Sequence, residues 1–272
     1  MTSVAVITAT IGRESLLRAV QSVKAQTYPC THYIFVDGEQ YFSAVQQLLH
    51  SPIYSDVTII YLPMNTGANN MFNSSINAVA PFLVKEDIIC YLDDDNWYDA
   101  HHIEQLVRCH QQDTTLDVAY SLRKFIDPQG NFICNDDFES IGLYGIHNHQ
   151  SCQFKFIYQY QEVQVTMPLP FCGIDANCYS IKRDFALKLA QSWYSGFGND
   201  RHVYNKIIAL NGKMACSHQY TVNYVVDVSR YFCSIISKLS ASVPDIEDSL
   251  KQLLVQMGKT NQRLHGGKLP WQ

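Results

Sequence analysis

The sequence of 272 residues contains no run of basic residues, no CxxC pair and no apolar segment near the roughly 20 residues that a membrane-spanning helix requires. Lysine and arginine total 20 against 25 acidic residues, which excludes an affinity based on neutralising a nucleic-acid backbone. Glycine and proline are sparse, at 13 and 9 residues, which excludes fibrous and low-complexity chains. The first residues lack the basic region of a signal peptide. We therefore expect a soluble globular protein that can rest on a membrane surface and has no nucleic-acid partner.

The nine cysteines also lack a pairing pattern, because their number is odd and several lie inside apolar runs such as Ile88–Tyr91. This usage predicts reduced, buried thiols and a cytoplasmic protein. A zinc site at His147, His149 and Cys152 is an alternative, but no second ligand pair follows at matching spacing.

Short apolar runs alternate with helical patterns through the first hundred residues. The strand-like runs are Val4–Thr8, Tyr33–Val36, Val57–Leu62 and Ile88–Leu92, and the helix-like segments are Ser15–Gln26, 44–49 and Asn73–Val84. The runs are nearly continuously apolar, as expected for strands that are buried on both faces. The pattern predicts an α/β fold with a Rossmann-like, mostly parallel sheet that binds ligands at the carboxyl ends of its strands.

The pattern changes after Arg108. A hairpin is predicted for 117–127 and 131–134, an irregular region for 135–170, helices for 182–193 and 200–210, a strand for 220–226 and a helix for 246–257, followed by an extended tail over 258–272. We expect one domain over 1–226, with a first half at 1–110 and a smaller mixed half at 111–226. Residues 227–272 form a C-terminal helical extension and tail.

The strongest chemical signal is Asp93-Asp94-Asp95-Asn96, directly after the fourth strand-like run. Three adjacent carboxylates repel one another unless a cation is present. Oxygen ligands at this density suit Mg2+ or Mn2+, with substrate phosphates completing the coordination shell. The alternatives are a solvated helix cap, since Asp and Asn are good N-caps, and a calcium loop. The calcium loop fails because Tyr98 occupies its glycine position and a strand precedes it.

Polar residues follow two other strand-like runs. Asp37 ends the second run, and Asn65-Thr66-Gly67 follows the third. A carboxylate at Asp37 could accept hydrogen bonds from a base or sugar, or it could be an ordinary turn residue. The chain contains no GxxxxGK[ST] and no GxSxG, and the nearest approach to GxGxxG is Gly196–Arg201, where no strand precedes.

Together, the Thr8–Glu14 segment, Asp37, Asn65-x-Gly67 and the post-strand Asp93–Asn96 make the chain resemble the inverting glycosyltransferases of the family-2 type, which have the GT-A fold. The resemblance is close over 1–110 and looser over 117–226. It implies that 1–110 is the half that binds the nucleotide sugar and that 111–226 is the acceptor-side half. It implies that a nucleotide diphosphate sugar, with UDP favoured, binds near Thr8, Thr10 and the strand-end residues. It further implies that Asp37 meets the base, that Asp93 and Asp94 lie in the donor region and that Asp95 binds the metal.

The resemblance also implies a catalytic carboxylate at the start of a late helix, and Asp200 occupies that position. Such a base removes the proton from an acceptor hydroxyl as the hydroxyl attacks the anomeric carbon. Asp200 could instead only cap the helix. Asp175 and Asn177 match the acceptor-side segment, with Asp175 as the rival base, and His218 matches a late metal-binding histidine or is an ordinary surface residue.

Several positions depart from the family pattern. Thr8-Ala9-Thr10-Ile11-Gly12 replaces the usual Pro and Tyr-Asn after the first strand, Phe72 stands where an arginine often helps to hold the nucleotide, and Asn199 replaces the first residue of an acidic pair.

We therefore predict a metal-dependent enzyme that transfers a sugar, with inversion, to a carbohydrate or other hydroxyl acceptor. One alternative is a sugar-phosphate nucleotidyltransferase, of whose Gly-rich N-terminal signature only Gly12-Arg13 is present. The other is a catalytically inactive carbohydrate-binding protein on the same scaffold.

Overall fold

The computed structural model describes residues 2–147, 149–170 and 173–272. In chain order, the elements of its first half are β1 Val4–Thr10, α1 Leu16–Lys24, β2 Thr31–Asp37, α2 Phe42–Leu48, β3 Thr58–Leu62, α3 Ser74–Leu83, β4 Ile88–Tyr91, β5 Trp97–Tyr98, α4 His102–Gln112, β6 Val118–Ile126 and β7 Phe132–Asn135. The second half contains β8 Ser151–Tyr158, β9 Gln161–Pro168, β10 Tyr179–Lys182, α5 Arg183–Trp193, α6 Asn199–Ala209, β11 Met214–Val225, α7 Val228–Tyr231, α8 Cys233–Leu239 and α9 Val243–Leu264.

The chain divides into two compact units. The first unit comprises Met1–Leu122 and Ile174–Val222, and the second comprises Arg123–Gly173 and Asn223–Gln272. The boundary falls inside β6 and β11, each of which contributes residues to both units. The described residues form a nine-stranded mixed sheet, in the order β3, β2, β1, β4, β10, β6, β11 and β5, with β7 paired to β6.

The first unit contains the parallel half of the sheet. Strand β1 lies between β2 and β4, and β3 flanks β2, all in parallel pairing, whereas β10 is antiparallel to β4 and β6. Every residue of β4 is buried, and only one residue of β1 is not, because helices cover both faces of the sheet. The predicted α/β fold with four parallel strands is confirmed.

The second unit contains an antiparallel hairpin, β8–β9, that the sequence-based prediction of an irregular 135–170 region missed. Its register runs from Ser151 opposite Pro168 to Tyr158 opposite Gln161. Phe154 and Phe156 are buried and belong to one core cluster with apolar residues of α9, while the residues on either side of each phenylalanine, Gln153, Lys155 and Ile157, are exposed. The alternation of apolar and polar residues was therefore visible in the sequence.

The predicted extended tail over 258–272 is wrong in its first part, because α9 continues to Leu264. Thr260 and Asn261 are buried on this last portion of the helix, and the Asn261 side-chain amide donates to the carbonyl of Asp137 over 2.7 Å. The helix therefore continues with buried polar residues past the point at which hydrophobic periodicity predicts its end, because the second unit supplies hydrogen-bond partners for them.

In the described part of the chain, no helix combines the length and the apolar character needed to span a membrane. The eight described cysteines are free thiols, and the ninth, Cys172, lies outside the described residues.

Candidate active site

The parallel strands of the first unit bring the predicted polar residues to one edge. Thr10 pairs with Val36 in the β1–β2 register, Asp37 pairs with Leu62, and Ile7 pairs with Tyr91. The carboxyl ends of β1, β2, β3 and β4 therefore lie side by side, and the loops that follow them share one rim.

Asp37 organises the loop after β3. Its side chain is 3% exposed; Oδ1 accepts from the backbone N–H and the hydroxyl of Thr66 at 2.7 and 2.8 Å, and Oδ2 accepts from Gly67 N–H at 2.8 Å. A Cβ at Gly67 would lie 2.4 Å from the carbonyl oxygen of Phe72, so the loop requires glycine there. In the same loop, the buried Oδ1 of Asn65 has no hydrogen-bond partner. That atom is an unused acceptor beside the predicted nucleotide site.

Arg13 bridges two carboxylates of the acidic motif. Its Nη1 donates to Asp94 Oδ1 at 3.2 Å and to Asp95 Oδ2 at 2.9 Å, and the Thr10 hydroxyl donates to Asp94 Oδ2 at 2.7 Å. Burial raises the pKa of Asp94, and the Thr10 hydrogen bond and the Arg13 charge oppose this shift. Burial likewise raises the pKa of Asp95, against the opposing charge of Arg13. Arg13 thus supplies a positive charge beside Asp94 and Asp95.

A second arginine holds the backbone of the motif. The Arg18 guanidinium lies 3.7 Å above the ring of Trp97, and its Nη2 donates to the Asp95 carbonyl at 3.3 Å. The face of the guanidinium therefore stacks on Trp97, and its edge donates to the Asp95 carbonyl. These two contacts hold the turn between β4 and β5 in place.

Amide side chains surround the first carboxylate, Asp93. Asn73 Nδ2 donates to Oδ1 and Asn177 Nδ2 donates to Oδ2, both at 2.8 Å, and Asp93 N–H donates to Asn177 Oδ1 at 2.7 Å. Burial, followed by the charges of Asp95 and Asp175, raises the pKa of Asp93 to about 7, although both amides oppose the shift. Neutral donors therefore orient this carboxylate without fully compensating its charge.

Asp175 belongs to the same cluster. Its Oδ1 accepts from the backbone N–H of Asn177 at 2.9 Å and from Asn177 Nδ2 at 2.7 Å. Asn177 is fully buried, and its amide connects Asp175 to Asp93. The structure thus brings together the predicted acceptor residues and the acidic motif, and both Asp175 and Asn177 are buried.

The N-terminus of α6 joins this cluster through Asn199. The Asn199 amide donates to Asn73 Oδ1 at 2.8 Å and to Ser74 Oγ at 2.9 Å. A continuous hydrogen-bonded chain therefore runs Asn199, Asn73, Asp93, Asn177 and Asp175. Asp200, the next residue after Asn199, is half-buried in the first turn of α6, and its charge contributes, after burial, to a raised pKa of Tyr179.

Two predicted site residues lie in different surroundings. Thr8 is fully buried, and its hydroxyl is 2.9 Å from Nε2 of His32, whereas Thr10 contacts the acidic motif. His218 is exposed in β11, with a left-handed φ of 57° and its N–H 3.3 Å from the Cys216 sulfur. Within the described ranges, no three His, Cys, Asp or Glu residues have the geometry of a metal site. The metal roles of His218 and Asp95 therefore stay predictions.

Sequence reasoning missed the residues that hold the acidic motif in place, namely Arg13, Arg18, Asn73 and Ser74. Asn73 lies 20 residues before Asp93 in the chain, and Asn177 lies 84 residues after it. No local spacing rule links residues that are so far apart in the chain. The two arginines soon after β1, however, indicate positive charge near the carboxyl end of that strand.

The fold and this acidic rim define an α/β protein of the GT-A type, with a polar site at the carboxyl ends of its parallel strands. The sequence pattern described as "Glycosyl transferase family 2" matches residues 3–173, which is more than half of the chain. The chain therefore belongs to glycosyltransferase family 2.

Two solved structures are similar in fold. The crystal structure of S. aureus TarS has a TM-score of 0.51 and 11% identity, with 96% of this chain and 43% of that chain covered. The structure of S. aureus TarS 1-349 in complex with UDP has a TM-score of 0.50 and 10% identity, with 97% and 72% covered. The chain thus spans less than half of the first TarS structure.

One curated protein, described as an uncharacterized protein of Haemophilus influenzae, is 29% identical over 100 residues. This match covers 36% of the present chain and 67% of the relative.

Proposed function

We propose that the protein transfers a sugar from a nucleotide diphosphate sugar, with UDP as the nucleotide, to an acceptor hydroxyl with inversion at the anomeric carbon. The observation that carries this proposal is the hydrogen-bonded chain from Asn199 to Asp93, which ties the helix bearing Asp200 to the acidic motif after β4. The UDP complex of TarS, a protein of similar fold, supports the choice of nucleotide.

The donor would bind along the rim formed by Thr10, the Asp37-anchored loop and the acidic motif. The unused Oδ1 of Asn65 can accept a hydrogen bond from the nucleotide. Arg13, half-exposed and already beside Asp94 and Asp95, can turn its remaining donors toward a diphosphate.

A divalent cation fits the donor set at this position, because Asp94 and Asp95 provide hard carboxylate oxygens and Asp95 is 44% exposed. Mn2+ or Mg2+ held there would neutralise charge on the leaving nucleotide diphosphate. Its ligands on this chain would be Asp95 and, with a change of partner by Arg13, Asp94.

The proton of the acceptor hydroxyl passes to a carboxylate in this mechanism, and we assign that role to Asp200. The assignment is supported by its position in the first turn of α6, directly after the buried Asn199, whose amide binds the Asn73 that contacts Asp93. The amides of Asn73 and Asn177 keep Asp93 oriented, and Asp175 is the alternative base.

Calorimetric titration of UDP with and without Mn2+ tests the donor site. We expect binding with Mn2+ that weakens on chelation, and we expect release of UDP from UDP-sugars in the presence of acceptors. Proton NMR of the product reports whether the anomeric configuration is inverted. Absence of nucleotide binding under all conditions would refute the proposal, and binding of UDP without turnover of any UDP-sugar would favour an inactive binding protein.

Asp200→Asn tests the base. We expect transfer to fall by about a hundredfold or more while UDP affinity is retained, because the variant loses proton transfer only. Asp184→Asn is the matched control, since Asp184 occupies the first turn of α5 as Asp200 does in α6. Equal losses in both variants would indicate a helix-capping role, and loss in Asp175→Asn alone would move the base to Asp175.

A further inference from the structure

Two exposed phenylalanines lie together on neighbouring loops of the first unit. Phe72 is 44% exposed and Phe197 is 80% exposed, and their ring centroids are 6.0 Å apart with the planes inclined at 55°. Single exposed apolar side chains are common, but two adjacent aromatic rings that remain open to solvent form an apolar patch, and such patches mark binding sites.

Unusual backbone conformations hold both rings at the surface. Phe72 has a φ of 49°, and Asn69 and Asn70 before it have φ values of 56° and 65°. Phe197 lies between Gly196 and Gly198, with φ values of 78° and 75°. A left-handed conformation is costly for a bulky residue and persists only where neighbouring contacts enforce it, which is typical of ligand clamps.

Those neighbouring contacts belong to the network already described around the acidic motif. Gly196 N–H donates to Ser74 Oγ at 3.0 Å, and Asn199 Nδ2 donates to the same oxygen at 2.9 Å. Phe72 N–H donates to the Gly67 carbonyl at 3.0 Å, and a Cβ at Gly196 would lie 3.0 Å from the Asn70 carbonyl oxygen. The two loops are therefore packed on each other, and the rings are preorganised rather than loose.

Phe72 stands where family members often carry a nucleotide-binding arginine, so an uncharged ring there removes a diphosphate contact, and the position of Phe197 points to the acceptor. Phe197 precedes Asp200 by three residues, and Phe72 precedes Asn73, whose amide binds Asp93. The arginines that contact the acidic motif follow β1 instead, so the anionic diphosphate is drawn to Arg13. Phe72 and Phe197 offer uncharged ring faces, which match a neutral ligand with an apolar face.

We propose that Phe72 and Phe197 form an acceptor subsite in which the C–H face of a pyranose ring packs against the aromatic pair. This assignment rests on the proposed glycosyl transfer and adds a substrate class to it, namely an acceptor with a pyranose ring at the reacting end. The ring is held so that one of its hydroxyls faces the carboxylate at the start of α6.

Saturation-transfer NMR with a panel of methyl pyranosides, in the presence of UDP and Mn2+, tests this subsite. The variants are Phe197→Ala, Phe72→Ala, Phe197→Leu and Phe197→Trp, and the matched control is Phe82→Ala, which removes a 61% exposed phenylalanine from α3. We expect ring C–H protons of at least one pyranoside to receive saturation. Its affinity should fall by about five- to tenfold in Phe197→Ala and Phe197→Leu and recover in Phe197→Trp, because the aromatic face is what binds.

Parallel titrations of UDP separate this subsite from the proposed function. Unchanged UDP affinity in the alanine variants supports an acceptor role, whereas a matching loss of UDP affinity overturns it in favour of nucleobase stacking. Wild-type binding of UDP but of no pyranoside, or equal binding in Phe197→Leu and the wild type, also overturns it. If pyranoside binding depends on Phe197 while UDP does not bind at all, the subsite stands and the proposed transfer fails.

Discussion

The acidic motif of the first unit and the buried carboxylates of the second unit differ in how their charges are compensated. In the first unit, the pKa values of Asp93, Asp94 and Asp95 are all raised, with burial as the main cause. In the second unit, burial of Asp127 is outweighed by hydrogen bonds from Asn131 and Lys251, so its pKa is lowered. The first unit keeps poorly compensated carboxylates together, and the second pairs each charge that it buries.

The clearest example in the second unit is Asp136 with Arg123. Arg123 Nε donates to Asp136 Oδ2 at 2.7 Å, and the Asp136 carboxylate also accepts backbone N–H groups of Phe138, Glu139 and Ser140 at 2.8 to 3.2 Å. Asp136 thus receives a guanidinium and three backbone N–H groups, whereas Asp93 of the acidic motif accepts hydrogen bonds from two neutral amides. A cluster of carboxylates that lowers the stability of the fold and is not needed for packing is typical of a functional site.

Replacing a carboxylate in the paired region should have the largest effect on stability. We expect Asp136→Asn to lower the free energy of unfolding by about 3 kcal/mol, because it leaves the buried Arg123 charge with only the partly exposed Glu139 as an ion-pair partner. Urea denaturation measures the change. Glu162→Gln, in the exposed Lys155–Glu162 pair of the same unit, is the control and should cost about 1 kcal/mol or less. Similar losses in both variants would contradict the distinction between buried and exposed pairs.

Acidification should destabilise the first unit through two buried histidines. His32, beside the Thr8 hydroxyl, and His102, 2.8 Å from the Thr221 hydroxyl, both have pKa values lowered by burial to about 3. Below pH 6.5 the unfolded chain binds protons that these two histidines exclude in the folded protein, so their contribution to stability is full above that pH and falls as the pH drops toward 3, while the raised pKa of Asp93 acts in the opposite direction. The expected loss is about 2 kcal/mol per histidine at pH 5.

Urea unfolding at pH 8 and pH 5 measures this loss, and His102→Gln should reduce the difference between the two. His50→Gln is the control, because it makes the same replacement at an exposed histidine of the same unit. A pH dependence that survives the loss of His102 undiminished would assign the effect to other groups.

Replacing a carboxylate of the acidic motif should have the smallest effect on stability. We expect Asp95→Asn to leave the free energy of unfolding unchanged or to raise it by up to about 1 kcal/mol, because relief of repulsion from Asp93 and Asp175 offsets the lost Arg13 ion pair. UDP binding in the presence of Mn2+ should weaken in the same variant. A stability loss as large as that of Asp136→Asn would remove the contrast between the two regions.

The parts of the fold that could be predicted are those with local patterns. The apolar runs located β1 to β4, and turn residues located the β6–β7 hairpin. The β8–β9 hairpin differs from the irregular region predicted over 135–170, because its alternating side chains include polar and exposed apolar residues that weaken the strand pattern. The end of α9 was missed for a different reason, since its buried Asn261 has a partner that only folding supplies.

For the site, the sequence by itself determined which residues reach the rim. Asp37, Gly67 and Asp93–Asp95 each follow a strand, and the ends of parallel strands necessarily meet at one edge. Only the tertiary structure decided what holds them there. Arg13 contacts carboxylates more than 80 residues away in the chain, and Asn199 reaches Asn73 across 126 residues. Such contacts depend on the packing of whole helices and loops, which local spacing does not encode.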